Sequence, residues 1–407
     1  MNAIIITIGD ELLQGFTQDT NSSWIGKTLL PYKIKIIKKI SIGDSQNQII
    51  SQIKNTLEED FDLLFVTGGL GPTHDDITKE ALCKIMDDEL IFNEDYYLKL
   101  EKKFQQYSIK ILEMHRTQAL QLKKANSIPN DKGTALGIHY SINKKQLFFM
   151  PGVPLEMKGM ILNYIIPDYI SIKPEESIIT INTTGITESY LSEKVDSLMS
   201  KYSNLCKFAF LPSYTGVSFR ISKIDGSINL LEVKKDFWEL MHPYAYGTND
   251  DSLEFKLSSK LIKLNLTIAS AESCTGGLIG KLLTDISGSS KYFLGSITAY
   301  SNNLKQSLLD ISKESLNDYG AVSEEIALEM AKAIRIKTGA NIGISTTGIS
   351  GPEGGTKSKP VGLVFIGLST ENESIVKKYN FNFGRNINRK MTATRALNMV
   401  RLLIEKN

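Results

Sequence analysis

Runs of aliphatic and β-branched residues alternate with helix-forming segments at both ends of this 407-residue chain. Near the start, residues 3–8, 33–40 and 62–67 are such runs, with helical segments at 21–30 and 46–57 between them. Near the end, the runs lie at residues 267–271, 295–300, 341–345 and 361–368. A strand without polar alternation is buried on both faces, so these runs predict mainly parallel sheets covered by helices. The predicted fold class is α/β.

The middle of the chain has a different pattern. Short strand-like segments at 178–182, 207–210 and 217–221 are combined with two amphipathic helical segments, 188–199 and 230–241. This pattern predicts a small α+β module that joins two α/β domains. We therefore divide the chain into an α/β domain over 1–170, a middle module over 171–250 and a second α/β domain over 251–407.

Composition limits the classes of partner. The formal net charge is only +2 and the lysines are scattered, which argues against a surface for direct contact with nucleic acid or membrane. The three cysteines are far apart and never in Cys-x-x-Cys spacing, which favours a reducing compartment and disfavours a zinc site. The first apolar run is too short for a signal peptide or a membrane span. We expect a cytoplasmic protein.

A serine stands where the strand over 267–271 gives way to a helix. Ser273 lies in the sequence Ala-Glu-Ser-Cys-Thr-Gly-Gly, and no histidine occurs between Asp250 and Asn407. A Ser-His-Asp or Cys-His centre within this domain is therefore excluded, and a serine nucleophile would need another base. In the alternative reading, Ser273 or Thr275 is a plain helix N-cap, and the two glycines only permit close packing.

Lys305 follows the next strand and can reach the same rim. As a base it must be neutral, and a shift of its pKa from about 10.4 to about 7–8 takes roughly 3–4 kcal/mol. It can equally be a surface lysine paired with Asp310, or a phosphate anchor. Cys274 is the rival nucleophile, since a thiol near a helix N-terminus is activated; a buried, inert thiol is the alternative we prefer.

The first domain carries its own glycine-rich loop after the strand over 62–67. Glycines in this loop let backbone amides approach an anion closely, and residues 9–11 add a second turn at the same rim. Asp75 and Asp76 would repel a phosphate unless a divalent cation such as Mg²⁺ lay between them. The alternative is that one of these aspartates only caps the following helix.

The C-terminal motifs resemble one family. Residues 271–277, 298–302 with Lys305, 320–323, 347–355 with 359–362, and 383–385 are similar to the CinA C-terminal family of nicotinamide mononucleotide deamidases. The resemblance implies hydrolysis of the nicotinamide carboxamide without a cofactor, with Ser273 as nucleophile, Lys305 as base and an acyl-enzyme intermediate. Arg385 would bind the substrate phosphate. The substrate-binding residues that it implies are Thr275, Gly276, Gly277, Tyr300, Asn302, Thr347, Gly348, Gly351 and Arg385, with the Gly276 and Gly277 amides as oxyanion donors.

The N-terminal motifs resemble the CinA N-terminal domain, which is related to the molybdopterin-binding fold. They lie at residues 9–15, 19–21, 67–76, 133–137 and 151–154. Some members of that family are metal-dependent ADP-ribose pyrophosphatases, whereas relatives of the fold bind molybdopterin, and the residues do not separate the two. The implied ligand-binding residues are Gly9, Asp10, Glu11, Asn21, Thr67, Gly68, Gly69, Gly71, Gly152 and Pro154, with Asp75 and Asp76 as metal ligands.

Taken together, the motifs predict a homodimeric, bifunctional hydrolase of pyridine-nucleotide recycling. One domain would act on nicotinamide mononucleotide and the other on ADP-ribose. Two alternatives remain open: a molybdopterin-binding module, and a non-catalytic protein associated with competence and DNA uptake.

Overall fold

The chain forms two compact units, Met1–Ser177 and Ile178–Asn407. The structure is a computed structural model that describes residues 1–74, 76–106, 108–224 and 228–406. No helix in these described ranges combines the length and the apolar character needed to cross a membrane. The second unit contains nearly all of the predicted segments 171–250 and 251–407, and the division into three domains stays a prediction.

The first unit is built on a mixed six-stranded sheet. The strands of the whole unit are β1 (Asn2–Ile8), β2 (Lys35–Ile42), β3 (Leu63–Thr67), β4 (Leu90–Phe92), β5 (Leu120–Leu122), β6 (Asn126–Ile128), β7 (Gly137–Ile142) and β8 (Lys145–Met150). The sheet order is β2-β1-β3-β8-β7-β6, and β4 pairs with β5 in a separate ribbon. The four strands β2, β1, β3 and β8 are parallel, whereas β7 and β6 extend the sheet antiparallel.

Helices cover this sheet on both faces. They are α1 (Asp10–Leu13), α2 (Thr20–Leu29), α3 (Gln46–Leu57), α4 (Thr78–Met86), α5 (Glu94–Gln106), α6 (Pro154–Met160) and α7 (Ile166–Tyr169). A π-helical segment, Ile161–Ile165, joins α6 to α7. Alternate residues of β1 serve two cores, since Ile4 and Ile6 pack on one side and Ala3 and Ile5 on the other. This explains the unbroken apolar run of the strand.

The second unit contains two sheets. The smaller one comprises β9 (Ile178–Thr183), β10 (Cys206–Pro212), β11 (Val217–Lys223) and β12 (Ala245–Thr248), all antiparallel in the order β10-β11-β9-β12. Helices α8 (Glu188–Tyr202) and α9 (Leu230–Met241) contribute to its core. This is the α+β pattern that the sequence predicts for the middle module.

The larger sheet of the second unit has the order β14-β13-β15-β16-β17. Its strands are β13 (Ile268–Glu272), β14 (Phe293–Thr298), β15 (Ile342–Gly348), β16 (Leu363–Ser369) and β17 (Ser374–Asn380). Its helices are α10 (Leu253–Lys263), α11 (Leu278–Thr284), α12 (Asn302–Leu309), α13 (Lys313–Tyr319), α14 (Glu324–Thr338) and α15 (Arg385–Lys406). The carboxyl ends of the parallel strands β14, β13 and β15 meet at one edge, where ligands of such sheets bind.

The α/β class is confirmed, with two features that the sequence did not predict. Strand β16, which corresponds to the predicted strand over 361–368, runs antiparallel to β15, and a further strand, β17, runs antiparallel to β16, so half of the strand pairings in this sheet are antiparallel. Strand β17 alternates half-buried and exposed residues and lacks the apolar run on which the prediction depends. The described ends of the predicted strands otherwise lie within a few residues of their predicted positions.

Candidate functional sites

Ser273 lies directly beyond β13, in a tight turn that leads into α11. Its backbone N–H donates to the carbonyl of Thr346 at 2.9 Å, which ties the turn to the neighbouring strand β15. The turn closes through Gly277, whose φ of 88° is a left-handed conformation that favours glycine. Ser273 is 9% exposed, so only a small part of its surface faces outward.

Lys305 lies on α12, the helix that follows the neighbouring strand β14, and its side chain reaches Ser273. Its Nζ is 3.1 Å from Ser273 Oγ and 2.8 Å from the carbonyl oxygen of Ala299. The side chain is only 1% exposed. Burial lowers the pKa of Lys305, because removal from water disfavours the charged ammonium form, and the neighbouring Cys274 opposes this shift. The structure thus brings together the two residues to which the sequence assigns the chemistry.

The geometry bears on the alternative roles of Lys305 and Cys274. Asp310 forms its ion pair with Lys337 at 2.5 Å, so the surface pairing with Lys305 is wrong. Cys274 is buried in the apolar core beneath the turn, and burial raises the pKa of its thiol to about 12. A thiol with such a pKa carries almost no thiolate near neutral pH, which favours the inert reading of Cys274.

Glu272, which precedes Ser273, was not predicted from the sequence as a residue of the site. Its carboxylate is fully buried and accepts from the backbone N–H groups of Ile279 (3.0 Å) and Gly280 (2.8 Å) in the first turn of α11. It also accepts from the Thr275 hydroxyl at 2.7 Å. The amides of this helix start are therefore occupied by the protein's own carboxylate. The signal in the sequence was a charged residue at the end of an otherwise apolar strand.

The predicted oxyanion donors differ in availability. The Gly276 N–H donates to the Ser273 carbonyl at 3.1 Å, whereas the Gly277 N–H has no acceptor among the described residues. The Thr275 hydroxyl is buried and bonded to Glu272 and to Thr346 Oγ1, both at 2.7 Å. A substrate contact from Thr275 would therefore have to come from its backbone. Gly277 remains the stronger oxyanion candidate.

The loop after β15 packs against the serine turn. The Ser350 hydroxyl donates to the Cys274 carbonyl at 3.3 Å. Thr347 is buried, and its hydroxyl donates to the Ala321 carbonyl at 2.5 Å, so it supports the site from behind. Gly348 is the last residue of β15, and an added Cβ would lie 2.6 Å from the Leu363 carbonyl oxygen. The Gly348 position is thus explained by strand packing.

Arg385 begins α15 and joins two sides of the rim. Its guanidinium donates to the Gly351 carbonyl at 2.9 Å and to the Tyr300 hydroxyl at 3.1 Å. Tyr300 is 58% exposed, and Asn302, the first residue of α12, is also exposed. These residues surround the turn with polar groups that face outward.

A second arginine of α15 was not predicted. Arg389 donates through Nε (3.2 Å) and Nη2 (2.7 Å) to the Thr275 carbonyl, one helical turn after Arg385. Its spacing of four residues from Arg385 was the available signal, because residues so spaced share one helix face. Arg389 therefore holds the serine turn in place from α15.

The N-terminal candidate site lies beyond the carboxyl ends of β1, β3 and β8. Thr67 ends β3 and is buried, and Gly68 follows with a φ of 117°. The Gly68 N–H donates to the Met150 carbonyl at 3.0 Å, and an added Cβ would collide with the Ile8 carbonyl. The Gly69 carbonyl accepts a hydrogen bond from the Thr78 N–H at 3.1 Å, which connects the glycine loop to the start of α4.

A pocket of about 390 Å³ opens at this rim. Glycines 9, 68, 69, 71 and 152 line it, together with the acidic residues Glu11, Asp44, Asp76 and Glu156. None of its described lining residues is a lysine, arginine or histidine. Asp10 lies beside the pocket: its carboxylate accepts from the Asp44 N–H at 3.2 Å, and its own N–H donates to Asp44 at 2.9 Å.

Asn21 and Gly152 are in contact across the rim. The Asn21 side chain donates to the Gly152 carbonyl at 2.8 Å, which tethers the loop that precedes α6. Pro154 is the first residue of α6, where its fixed φ favours the helix and its missing N–H has no cost. The predicted residues of the first domain therefore converge, apart from Asp75, which lies outside the described residues.

The predicted metal ligands fit a cation only in part. Carboxylate oxygens suit Mg²⁺, and four acidic residues line the pocket. One oxygen of Asp76, however, accepts from the Thr73 N–H at 2.9 Å and from the Thr73 hydroxyl. Among the described residues, no group of three or more His, Cys, Asp or Glu side chains converges to hold a metal.

The chain is similar to known proteins over nearly its whole length. Residues 4–170 match the family described as "Probable molybdopterin binding domain", and residues 250–404 match the CinA C-terminal domain. A CinA-like protein of Cytophaga hutchinsonii is 37% identical over 98% of this chain and 97% of its own length. A competence-damage inducible protein of Clostridium botulinum is 36% identical over 98% and 99%, respectively.

The chain is also similar to solved structures. A competence/damage inducible protein from Agrobacterium tumefaciens is 36% identical and has a TM-score of 0.36; the match covers 38% of this chain and 96% of that one. The identity to the Cytophaga hutchinsonii relative, which extends over nearly the whole of both chains, decides the family. The chain belongs to the CinA family.

Proposed function

We propose that the second unit hydrolyses the carboxamide of nicotinamide mononucleotide to the carboxylate and releases ammonia. The observation that carries the proposal is the buried contact of 3.1 Å between Ser273 Oγ and Lys305 Nζ. A lysine whose pKa is lowered by burial is more readily neutral, and so a better acceptor of the serine proton, than an exposed lysine. The match of residues 250–404 to the CinA C-terminal domain supports the choice of reaction class.

The geometry suggests how the first half of the reaction proceeds. In the neutral amine, one N–H of Lys305 donates to the Ala299 carbonyl, which leaves the lone pair free to accept the Ser273 proton. Ser273 Oγ forms a bond to the amide carbon, and the Gly277 N–H stabilises the oxyanion. The C–N bond then breaks, and Lys305 returns the proton to the departing ammonia.

The second half regenerates the enzyme. Water loses a proton to Lys305 and attacks the acyl ester, and the proton returns to Ser273 as the carboxylate leaves. Arg385 suits the substrate phosphate because its planar fork is already oriented by Gly351 and Tyr300. The reaction needs no cofactor in this scheme.

The test is product identification with purified full-length protein and three variants. The wild type should release one ammonia for each nicotinate mononucleotide formed. Ser273→Ala should lower this rate by roughly 1000-fold or more, as loss of a nucleophile does. Cys274→Ala removes the rival thiol and should retain most of the activity, while Ser312→Ala, at an exposed N-cap, controls for loss of a hydroxyl.

Two outcomes would contradict the amidase assignment. Full turnover by Ser273→Ala would exclude the serine as nucleophile. An inactive Cys274→Ala that remains folded by circular dichroism would transfer that role to the cysteine.

We further propose that the first unit hydrolyses ADP-ribose to AMP and ribose 5-phosphate with a divalent metal such as Mg²⁺. The pocket of about 390 Å³ and its glycine amides favour a phosphate-bearing ligand. Because its charged lining residues are acidic, a diphosphate would be repelled unless a cation came with it. This is the reason to expect metal dependence.

The metal-dependent reaction is tested by incubating the protein with ADP-ribose, with added Mg²⁺ and with a chelator. Cleavage should require the metal and should fall in Asp76→Asn, which keeps the shape of the side chain but loses its charge. Asp60→Asn, at an exposed position, is the matched control, and Ser273→Ala should cleave normally. Tight molybdopterin binding without ADP-ribose cleavage would favour the alternative ligand instead.

The remaining expectations concern the setting of the protein. We propose a homodimer in the cytoplasm, for which sedimentation of the full chain is the measurement. The names of the relatives refer to competence, and salt-sensitive retention on DNA would revive a role in DNA uptake. The small net charge of +2 is the reason to expect no retention.

A further inference from the structure

Gln118 is a buried amide in the wall of the N-terminal pocket. It belongs to a short 3-10 helix, Glu113–Ala119, and its side chain is fully buried. Its Nε2 donates to the Leu70 carbonyl at 3.3 Å, while its Oε1 has no hydrogen-bond partner among the described residues. A buried acceptor without a partner is destabilising, so a ligand that donates a hydrogen bond to it would bind more tightly.

The orientation of this amide is determined by its surroundings. A flipped amide would place Oε1 against the Leu70 carbonyl oxygen, and two acceptors would then repel each other. Gln118 therefore offers an acceptor, not a donor, to the remaining contact. An acceptor oxygen cannot bind a phosphate or a carboxylate, since neither has a proton to donate at neutral pH.

Lys79 holds the backbone on both sides of Gln118. Its Nζ donates to the carbonyls of Thr117 (3.0 Å) and Leu120 (2.9 Å), and the side chain is 7% exposed. The residues next to Gln118 are thus fixed by a buried lysine of α4. A fixed acceptor is suited to discriminate between ligands, because it cannot move to find another partner.

We propose that Gln118 Oε1 accepts a hydrogen bond from an N–H group of an amino-substituted nitrogen heterocycle in the pocket ligand. The acidic lining of the pocket also favours a donor-bearing ligand part at this wall. Adenine and a pterin both carry such an amino group, so the same contact serves either class of ligand. The inference rests on the proposed binding of such a ligand by the first unit, and Gln118 adds the contact that recognises its base.

The test uses two pairs of ligands that differ only in the amino group. One pair is ADP-ribose and its counterpart with unsubstituted purine in place of adenine, and the other is a 6-substituted pterin and its counterpart without the 2-amino group. Dissociation constants are measured by calorimetry on the full-length protein with Mg²⁺, and for a ligand that is cleaved the ratio of kcat/KM is compared instead. In the pair that the pocket accepts, the wild type should bind the amino-bearing member roughly 10- to 100-fold more tightly.

Gln118→Met removes the acceptor and keeps a similar side-chain length. This variant should bind the two members of a pair about equally, because it weakens the binding of the amino-bearing ligand only. Gln52→Met, on α3, is the control and should keep the preference, because the Gln52 amide bonds Thr56 within its own helix at 3.0 Å.

Equal binding of both members by the wild type overturns the inference without any variant. A preference that survives in Gln118→Met also overturns it, even if the melting temperature changes, since Gln118 then has a structural role. ADP-ribose cleavage without a preference rejects the inference alone. Preference in the pterin pair without cleavage rejects the pyrophosphatase alone, and no binding in either pair rejects both.

Discussion

A lysine that acts as a base must be neutral, and the surroundings of Lys305 favour the neutral amine. The side chain is 1% exposed, and its two polar contacts are a hydroxyl and a carbonyl. The sequence could indicate that Ser273 and Lys305 reach the same edge, because both follow parallel strands. It could not give the burial, which depends on how α12 packs against the turn that carries Ser273, 32 residues earlier in the chain.

Replacement of Lys305 by arginine tests its role as a base. Arginine keeps the positive charge but cannot lose its proton, so Lys305→Arg should lower the rate of ammonia release at least about 100-fold. Lys313→Arg makes the same exchange at an exposed position and should be neutral. An active Lys305→Arg would mean that another group takes the serine proton.

At the scale of elements, the buried carboxylate of Glu272 joins β13 to α11. It accepts from two backbone N–H groups of the helix and so occupies donors that would otherwise be left without partners. The turn that carries Ser273 lies between these two elements. Glu272 therefore holds in place the turn that carries Ser273.

Glu272→Gln should destabilise this junction. The glutamine amide turns one acceptor into a donor, which then faces a helix N–H group at about the same distance. We expect the free energy of unfolding to fall by roughly 1–3 kcal/mol in a denaturant titration. Glu371→Gln, at an exposed turn, should change it by less than about 0.5 kcal/mol. A Glu272→Gln variant as stable as the control would show that the junction does not depend on this charge.

The same elements show what sequence patterns can and cannot predict. Strands β13 and β15 are buried on both faces, and their lack of polar alternation with exposed residues made them predictable. Strand β17 has only partial burial and was missed. The hydroxyls of Thr275 and Thr347 look available in sequence, yet both are bonded within the protein, because strand and turn geometry decides which way a side chain points.

At the scale of the whole molecule, α15 connects the two sheets of the second unit. Arg401 of this helix is 1% exposed and donates to the carbonyls of Ala245 (3.2 Å) and Pro243 (2.6 Å) near β12. Tyr214, in the loop between β10 and β11 of the smaller sheet, packs on Phe383, close to Arg385, with ring centroids 5.5 Å apart. The sequence separated these sheets by their patterns but had no signal for their packing.

Arg401→Met should loosen this connection. Removing the guanidinium leaves two carbonyls and the Glu405 carboxylate without this donor, at a cost of about 3–5 kcal/mol. Calorimetry should show a lower melting temperature for the second unit and an unchanged transition for the first. Arg401→Lys, which keeps the charge, should lower the melting temperature of the second unit less than Arg401→Met does. Identical melting of all three proteins would argue against the connection.

The central claim is that Lys305, in contact with Ser273, has a lowered pKa and acts as the base. The most direct measurement is an NMR pH titration of the Lys305 side chain in ¹³C-labelled protein, with the resonance assigned by its absence in Lys305→Met. Because burial lowers its pKa, the titration midpoint should lie below the usual value of 10.5, and kcat/KM should rise with pH through the same midpoint. A Lys305 resonance that titrates at or above 10.5 would contradict the account.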